Sequence, residues 1–310
     1  MKEEHISSLL IYGRLQNILF FLCGGGWGIS MGIEVGLGIL LNEIRQEWGI
    51  SYIQQSLVSV CTMIGVFIGS YFWGLLADKR GRKPAFNKLL FFVALGLFIG
   101  IFSPNVYMLA PCYIIAGFGI GGSFTVDGNV FLEYCPLDKQ YMLTSISILS
   151  SIGASLPPAL ALFYEGINAP YQWRFVQGTL GLIALALAIP RFWIKETPSF
   201  LVSKHKTTQI VDLLEDINPG PVDRSSLYEQ VVNASPKVKL SEKTIKAQLS
   251  ALFRKPLRKY TLLYIFIWGL TSFTFIGVTS FLPVILIRTG YGESDADIYE
   301  MMLYQELGIY

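Results

Sequence analysis

Seven long apolar segments follow one another along the chain, at about residues 16–41, 55–77, 86–103, 106–132, 142–164, 172–194 and 260–287. Each has the roughly 18 or more apolar positions that a helix needs to cross a hydrocarbon core of about 30 Å. An eighth run begins near Met301, and the sequence stops at Tyr310. The connections are short apart from one polar stretch of about 65 residues, from Lys195 to Lys259. The pattern predicts an all-α membrane protein. It has a six-helix bundle over 1–194, a central loop over 195–259, and the start of a second bundle over 260–310.

Charge placement orients the bundle. With the N-terminus inside, 21 of the 24 Lys and Arg fall on the inner side, Arg191 being counted with the central loop. Only Arg45, Arg174 and Arg288 fall outside. This asymmetry places the N-terminus and the central loop in the cytosol. Net charge is +2, and charged residues make up only 15% of the chain against 52% hydrophobic. The end of the loop, Ile245–Tyr260, joins Leu249, Leu252 and Phe253 to a basic run. It reads either as an interfacial helix or as an ordinary basic flank of the seventh span.

Small residues recur at a spacing of four: Gly24, Gly28, Gly32 and Gly36 in the first segment, Gly65 and Gly69 in the second, Gly96 and Gly100 in the third, Gly117 and Gly121 in the fourth. Ser147, Ser151 and Ser155 repeat it in the fifth. Helices in lipid associate through such close-packing positions, so the pattern predicts a tight bundle. At about 100° per residue, Glu34 lies opposite the middle of the first glycine stripe, on one face with Trp27 and Ser30. A carboxylate facing lipid is costly. Beside an indole it offers a seat for an organic cation. The alternative is a Glu34 near the outer end, hydrated or paired with Arg45 or Arg174.

The rest of the composition removes other classes. Cys23, Cys61, Cys112 and Cys135 lack metal or redox spacing and read as small buried hydrophobes. No nucleotide-binding or metalloprotease motif is present, and only His5 and His205 could serve as histidine bases. The chain offers no catalytic site, metal, cofactor or nucleic-acid surface, and the reading is of a non-enzyme.

After the second segment stands Gly74-Leu-Leu-Ala-Asp78-Lys-Arg-Gly81-Arg82-Lys83-Pro84. It resembles the major facilitator signature between helices two and three. Gly117-Phe-Gly119-Ile-Gly121-Gly122 resembles that family's glycine-rich fourth helix, and Glu133-Tyr-Cys-Pro136 the acidic element that ends it. Glu196-Thr-Pro198-Ser-Phe200-Leu201 resembles the stretch after helix six of sugar-porter-like members. Gly13-Arg14-Leu15-Gln16, the position of Glu34, Val126-Asp127-Gly128, Trp173-Arg174 and Phe281-Leu282-Pro283 resemble the synaptic-vesicle-2-related and niacin-transporter-like branch. Tyr113 stands where an arginine is often found, and Ser199 replaces another.

The resemblance implies a major facilitator fold that moves a small organic ion or polar metabolite, with or without H+, by alternating access. It implies that Glu133 and Glu196 meet Arg82 or Lys83 in a cytosolic latch. Glu34, Trp27 and Ser30 are the candidate substrate or coupling residues. Asp127, about 13 Å nearer the cytosol than the middle of its helix by helical rise, reads as a gate or coupling residue or as a structural hydrogen-bond partner. The alternative function is a transport-dead relative acting as a sensor or interaction protein. The family's twelve spans make the sequence read as truncated, with the missing half or a second copy completing the cavity.

Overall fold

The computed structural model describes residues 10–167, 169–217, 224–234, 250–290 and 295–308. Among the described residues, six helices are long and apolar enough to cross a membrane: α1 (Arg14–Trp48), α2 (Tyr52–Arg80), α3 (Arg82–Ile101), α4 (Val106–Tyr134), α5 (Met142–Gly166) and α6 (Gln172–Arg191). Most extend past the apolar windows because their polar ends are capped. Ser51 and Gln54 form a capping box at the start of α2, and Asn105 accepts from the Met108 amide at the start of α4. Gly49 closes α1 in the left-handed region at φ 61°. The chain therefore alternates between two ends of one bundle. The α2–α3 and α4–α5 turns share the basic end, and the α1–α2, α3–α4 and α5–α6 turns share the remote end.

Within the bundle α2 packs along α4, α1 along α5, and α3 along both α4 and α6. The glycines explain how close these helices come. A Cβ on Gly65 or Gly69 would run into the Ile114 or Phe118 carbonyl of α4, and one on Gly117 or Gly121 into the Thr62 or Val66 carbonyl of α2. In α1, a Cβ on Gly28 would lie 2.6 Å from the Leu149 carbonyl oxygen and one on Gly32 2.5 Å from that of Gly153. Gly36 meets the ring of Pro157, and Gly24 the side chain of Leu149. The fifth helix departs from the expected pattern. Its packing stripe is Leu149–Gly153–Pro157, whereas Ser147 and Ser151 are exposed and only Ser155 is buried. Hydroxyls at four-residue spacing can bond their own backbone, as Ser151 does to the Ser147 carbonyl at 3.4 Å, so they need no neighbouring helix.

Among the described residues three short helices follow: α7 (Pro198–Ser203), α8 (Thr207–Ile217) and α9 (Arg224–Ala234). They bring more order than the polar composition predicts. Ile210, Val211, Leu213, Leu214 and Ile217 of α8 are buried, and Arg224 of α9 bonds Asp212 and Glu215 of α8 at 2.5 and 3.1 Å. Then come α10 (Leu257–Thr289), which touches α1, and α11 (Asp295–Leu307), which lies along α5. Thr271 and Thr274 of α10 bond back to the Ile267 and Leu270 carbonyls at 2.9 and 3.0 Å. Residues 245–249 of the candidate interfacial helix, and the side chains of Phe281, Leu282 and Pro283, lie outside the described residues. All four cysteines are free, three of them buried and Cys61 half-buried. Cys135, just past α4, has its thiol pushed up to about 11, chiefly by burial and secondarily by Asp138.

Gly153 is where the α1–α5 contact is tightest, because a Cβ there would overlap the Gly28 backbone. Gly153→Val is expected to destabilise the bundle by at least about 1–3 kcal/mol, while Gly166→Ala, where a Cβ meets open space, leaves it unchanged. Thermal unfolding in detergent checks this; equal midpoints for the two variants would contradict the packing account.

Candidate functional site

Two charge clusters occupy the half of the bundle nearer the basic end. The first sits on the α2–α3 turn. Gly81 joins the two helices at φ 104°, a conformation that glycine adopts without strain. A Cβ there would also collide with the Glu196 carboxylate. Glu196 Oε1 accepts from the backbone N–H groups of Arg82, Lys83 and Thr197 at 2.9, 3.1 and 3.0 Å. It thus caps the first turn of α3, where unsatisfied amides and the helix dipole favour an anion. The Arg82 guanidinium reaches Glu133 of α4 at 2.9 Å and Asp78 of α2 at 2.7 Å. Tyr134 donates to the Lys195 and Glu196 carbonyls, which holds that strand of chain against α4.

These residues come together as the motifs imply, with one difference of chemistry. Glu133 meets the Arg82 side chain, but Glu196 is held by backbone amides rather than by the Arg82 or Lys83 side chains. Gly74 faces open space, with nothing within 4 Å of a built Cβ.

The second cluster is wholly buried. Arg191, the last residue of α6, grips Asp127 of α4 with both terminal nitrogens, Nη1–Oδ1 at 2.8 Å and Nη2–Oδ2 at 2.9 Å. Both side chains have 0% exposure. Ser123 Oγ donates to Asp127 Oδ2 at 2.6 Å. The same guanidinium donates to the Leu22 carbonyl of α1 at 2.7 Å and the Phe86 carbonyl of α3 at 3.3 Å, and it stacks 4.1 Å from the Phe86 ring centre. Four helices therefore meet at one cation. Gly26 makes the room, because a Cβ there would overlap both Asp127 Oδ2 and Arg191 Nη2.

This corrects the charge count made from sequence. Arg191 is inside the bundle, not in the central loop, and the basic asymmetry falls to 20 against three without changing sign. The signal was present: Arg191 precedes Phe192 and Trp193 at the end of an apolar run, and Asp127 is the one acid inside the fourth run. Opposite charges in two spans call for each other. Gly26 lies outside the four-residue glycine spacing, so that spacing could not find it.

The face expected to carry Glu34, Trp27 and Ser30 is divided. The Trp27 indole lies against Gly128, and its N–H donates to the Ser123 carbonyl of α4 at 3.2 Å. Ser30 is fully buried and donates to the Gly26 carbonyl at 2.8 Å. Neither group is left for a ligand, because the indole N–H is taken by α4 and the Ser30 hydroxyl by its own helix. Glu34 is half-buried, three residues beyond the midpoint of α1, about 4.5 Å by helical rise.

The cations weighed as its partners are engaged elsewhere. Arg45 bonds Asn42 at 3.3 Å and stacks on Tyr52. Arg174 pairs with Glu47 at 3.3 Å, and Trp173 donates to the same carboxylate at 2.5 Å. Tyr113, in place of the family's arginine, is buried and donates to Gln177 at 3.3 Å, while Gln177 donates to the Leu97 carbonyl at 2.7 Å. Among the described residues Glu34 has neither a hydrogen bond nor an ion pair, and no group of His, Cys, Asp and Glu could hold a metal ion.

Residues 25–303 match the family described as sugar (and other) transporter. The MFS siderochrome iron transporter 1 of Ceriporiopsis subvermispora is 30% identical over 316 residues, covering 91% of this chain and 60% of that protein. The synaptic vesicle 2-related protein of Rattus norvegicus is 24% identical over 271 residues, covering 86% and 47%. In fold, the partially occluded inward-open xylose transporter XylE from E. coli aligns with a TM-score of 0.67 over 94% of this chain and 69% of that one, at 14% identity. The chain spans about half the length of the curated relatives it matches.

Breaking a buried ion pair from one side leaves an uncompensated charge. Arg191→Met is expected to cost about 3–5 kcal/mol, and Arg191→Met with Asp127→Leu to recover most of that. Unfolding in detergent measures both; a double variant as unstable as the single one would show that charge compensation is not what the pair provides.

Proposed function

The chain belongs to the sugar (and other) transporter family of major facilitator proteins, and from that we propose that it moves a small organic ion or polar metabolite across a membrane by alternating access. It is an integral, multi-pass membrane protein. In such folds the substrate sits near the bilayer midplane between two helical walls, and access alternates as one wall rocks against the other. The six helices α1–α6 form one wall.

The observation that carries this reading is Glu34. Other acids of the bundle have named partners: Asp127 with Arg191, Glu133 with Arg82, Glu47 with Arg174. Glu34 lies near the middle of α1 with no such partner among the described residues. A carboxylate at that depth is costly unless a cation, a proton or water meets it. We assign Glu34 to substrate or proton binding. Trp27 serves as the wall that fixes α1 against α4, and Ser30 as a buried packing residue. Asp127 is assigned as a strut rather than a gate, since Arg191 and Ser123 occupy its oxygens. The Asp78–Arg82–Glu133–Glu196 cluster is the latch of the basic end, which the charge asymmetry puts in the cytosol.

Uptake by the chain in sealed vesicles tests the proposal, using a panel of labelled organic cations, organic anions and sugars. Accumulation of one class is expected; binding without accumulation would identify a receptor instead. In the same vesicles, Ser203→Cys and Gln46→Cys should label from opposite faces, and equal labelling from one face would overturn the orientation.

A further inference from the structure

We propose that Tyr299 of α11 and Glu43 of α1 form a tie that closes the remote end of the bundle by joining the first six spans to the helices that follow. The Tyr299 hydroxyl donates to Glu43 Oε1 at 2.7 Å. Glu43 lies five residues before the end of α1, about 7.5 Å by helical rise. This is the end opposite the Arg82 latch.

The tie does not stand alone. Ile298, Tyr299 and Met302 are 3%, 4% and 2% exposed, and α11 runs along α5. By contrast, most described side chains of α10 are exposed, among them Leu262, Tyr264, Phe266, Trp268 and Phe273. Among the described residues that follow the central segment, this turn of α11 carries the most deeply buried side chains. A phenol donating to a carboxylate is a charge-assisted bond, stronger than a neutral one, and burial of Tyr299 keeps water from competing for it. Such a bond beside an apolar seat favours the closed end yet can break, as a two-state gate requires. The inference rests on the alternating-access reading.

The test reads accessibility rather than flux. Ile298→Cys is placed in the full chain, alone and with Tyr299→Phe, with Glu43→Gln, and with both. Labelling by a membrane-impermeant thiol reagent is followed from each face in oriented vesicles, over the label taken up by the chain without Ile298→Cys. Tyr299→Phe and Glu43→Gln should each raise the rate from the remote face about tenfold, the shift that about 1.4 kcal/mol produces. The double variant should raise the rate by less than the product of the single effects, because the two side chains share this bond, and the rate from the basic face should not rise. Unchanged rates, or an equal rise from both faces, would overturn the tie. Uptake in the same vesicles separates the two ideas. Unchanged labelling with intact uptake rejects the tie alone, whereas raised labelling without uptake keeps the tie and rejects the transport reading.

Discussion

The Arg191 guanidinium, clasping Asp127 and two backbone carbonyls inside the bundle, sets the terms for everything around it. Lipid tails are as apolar as leucine, so no hydrophobic force draws membrane helices together, and packing and polar contacts must do so. The glycine zippers bring α2 to α4 and α1 to α5 at backbone contact. They fix pairs of helices. Arg191 joins α6 to α1, α3 and α4 at a single point, and it can do so only because position 26 has no side chain. A charge pair with 0% exposure is expensive to form and more expensive to break from one side. Its geometry offsets the cost: two bonds to Asp127, two to carbonyls and a ring beneath.

A second set of polar contacts governs the basic end. Glu196 ties the segment after α6 to the first turn of α3, and Arg82 ties α3 to α2 and α4. Together the two clusters and the α1–α5 glycine contact join the six helices into one body, as the proposed rocking of a whole wall would require. Against that background Glu34 stands apart. Its neighbours on the helical wheel, Trp27 and Ser30, are spent on α4 and on their own helix. The group left over at mid-depth is the carboxylate.

Much of this was legible in the sequence, for physical reasons that differ from residue to residue. The spans were visible because a 30 Å core imposes a length, and the glycine faces because contact repeats at each turn of a helix. The Gly81 turn was carried by motif spacing, and the meeting of Arg82 with Glu133 was implied by the family resemblance. Serine misled where glycine did not, since a hydroxyl can satisfy itself on its own backbone, and Ser147 and Ser151 face outward. Arg191 was misplaced because a basic residue at the end of an apolar run looks like a loop residue until its acid is found two helices earlier in the chain. The pairing of Tyr113 with Gln177 and the reach of Tyr299 to Glu43 join residues far apart in the chain. No local pattern encodes such partners.

The account's central claim is that Glu34 is the bundle's one mid-depth carboxylate kept for substrate or proton. The direct measurement is the affinity and pH dependence of uptake, for the best substrate of the vesicle panel, in wild type and Glu34→Gln. The account predicts that Glu34→Gln unfolds at the wild-type temperature yet either binds that substrate about tenfold or more weakly or transports it without the wild-type dependence on proton concentration. A Glu34→Gln chain with unchanged affinity and unchanged pH dependence would contradict it.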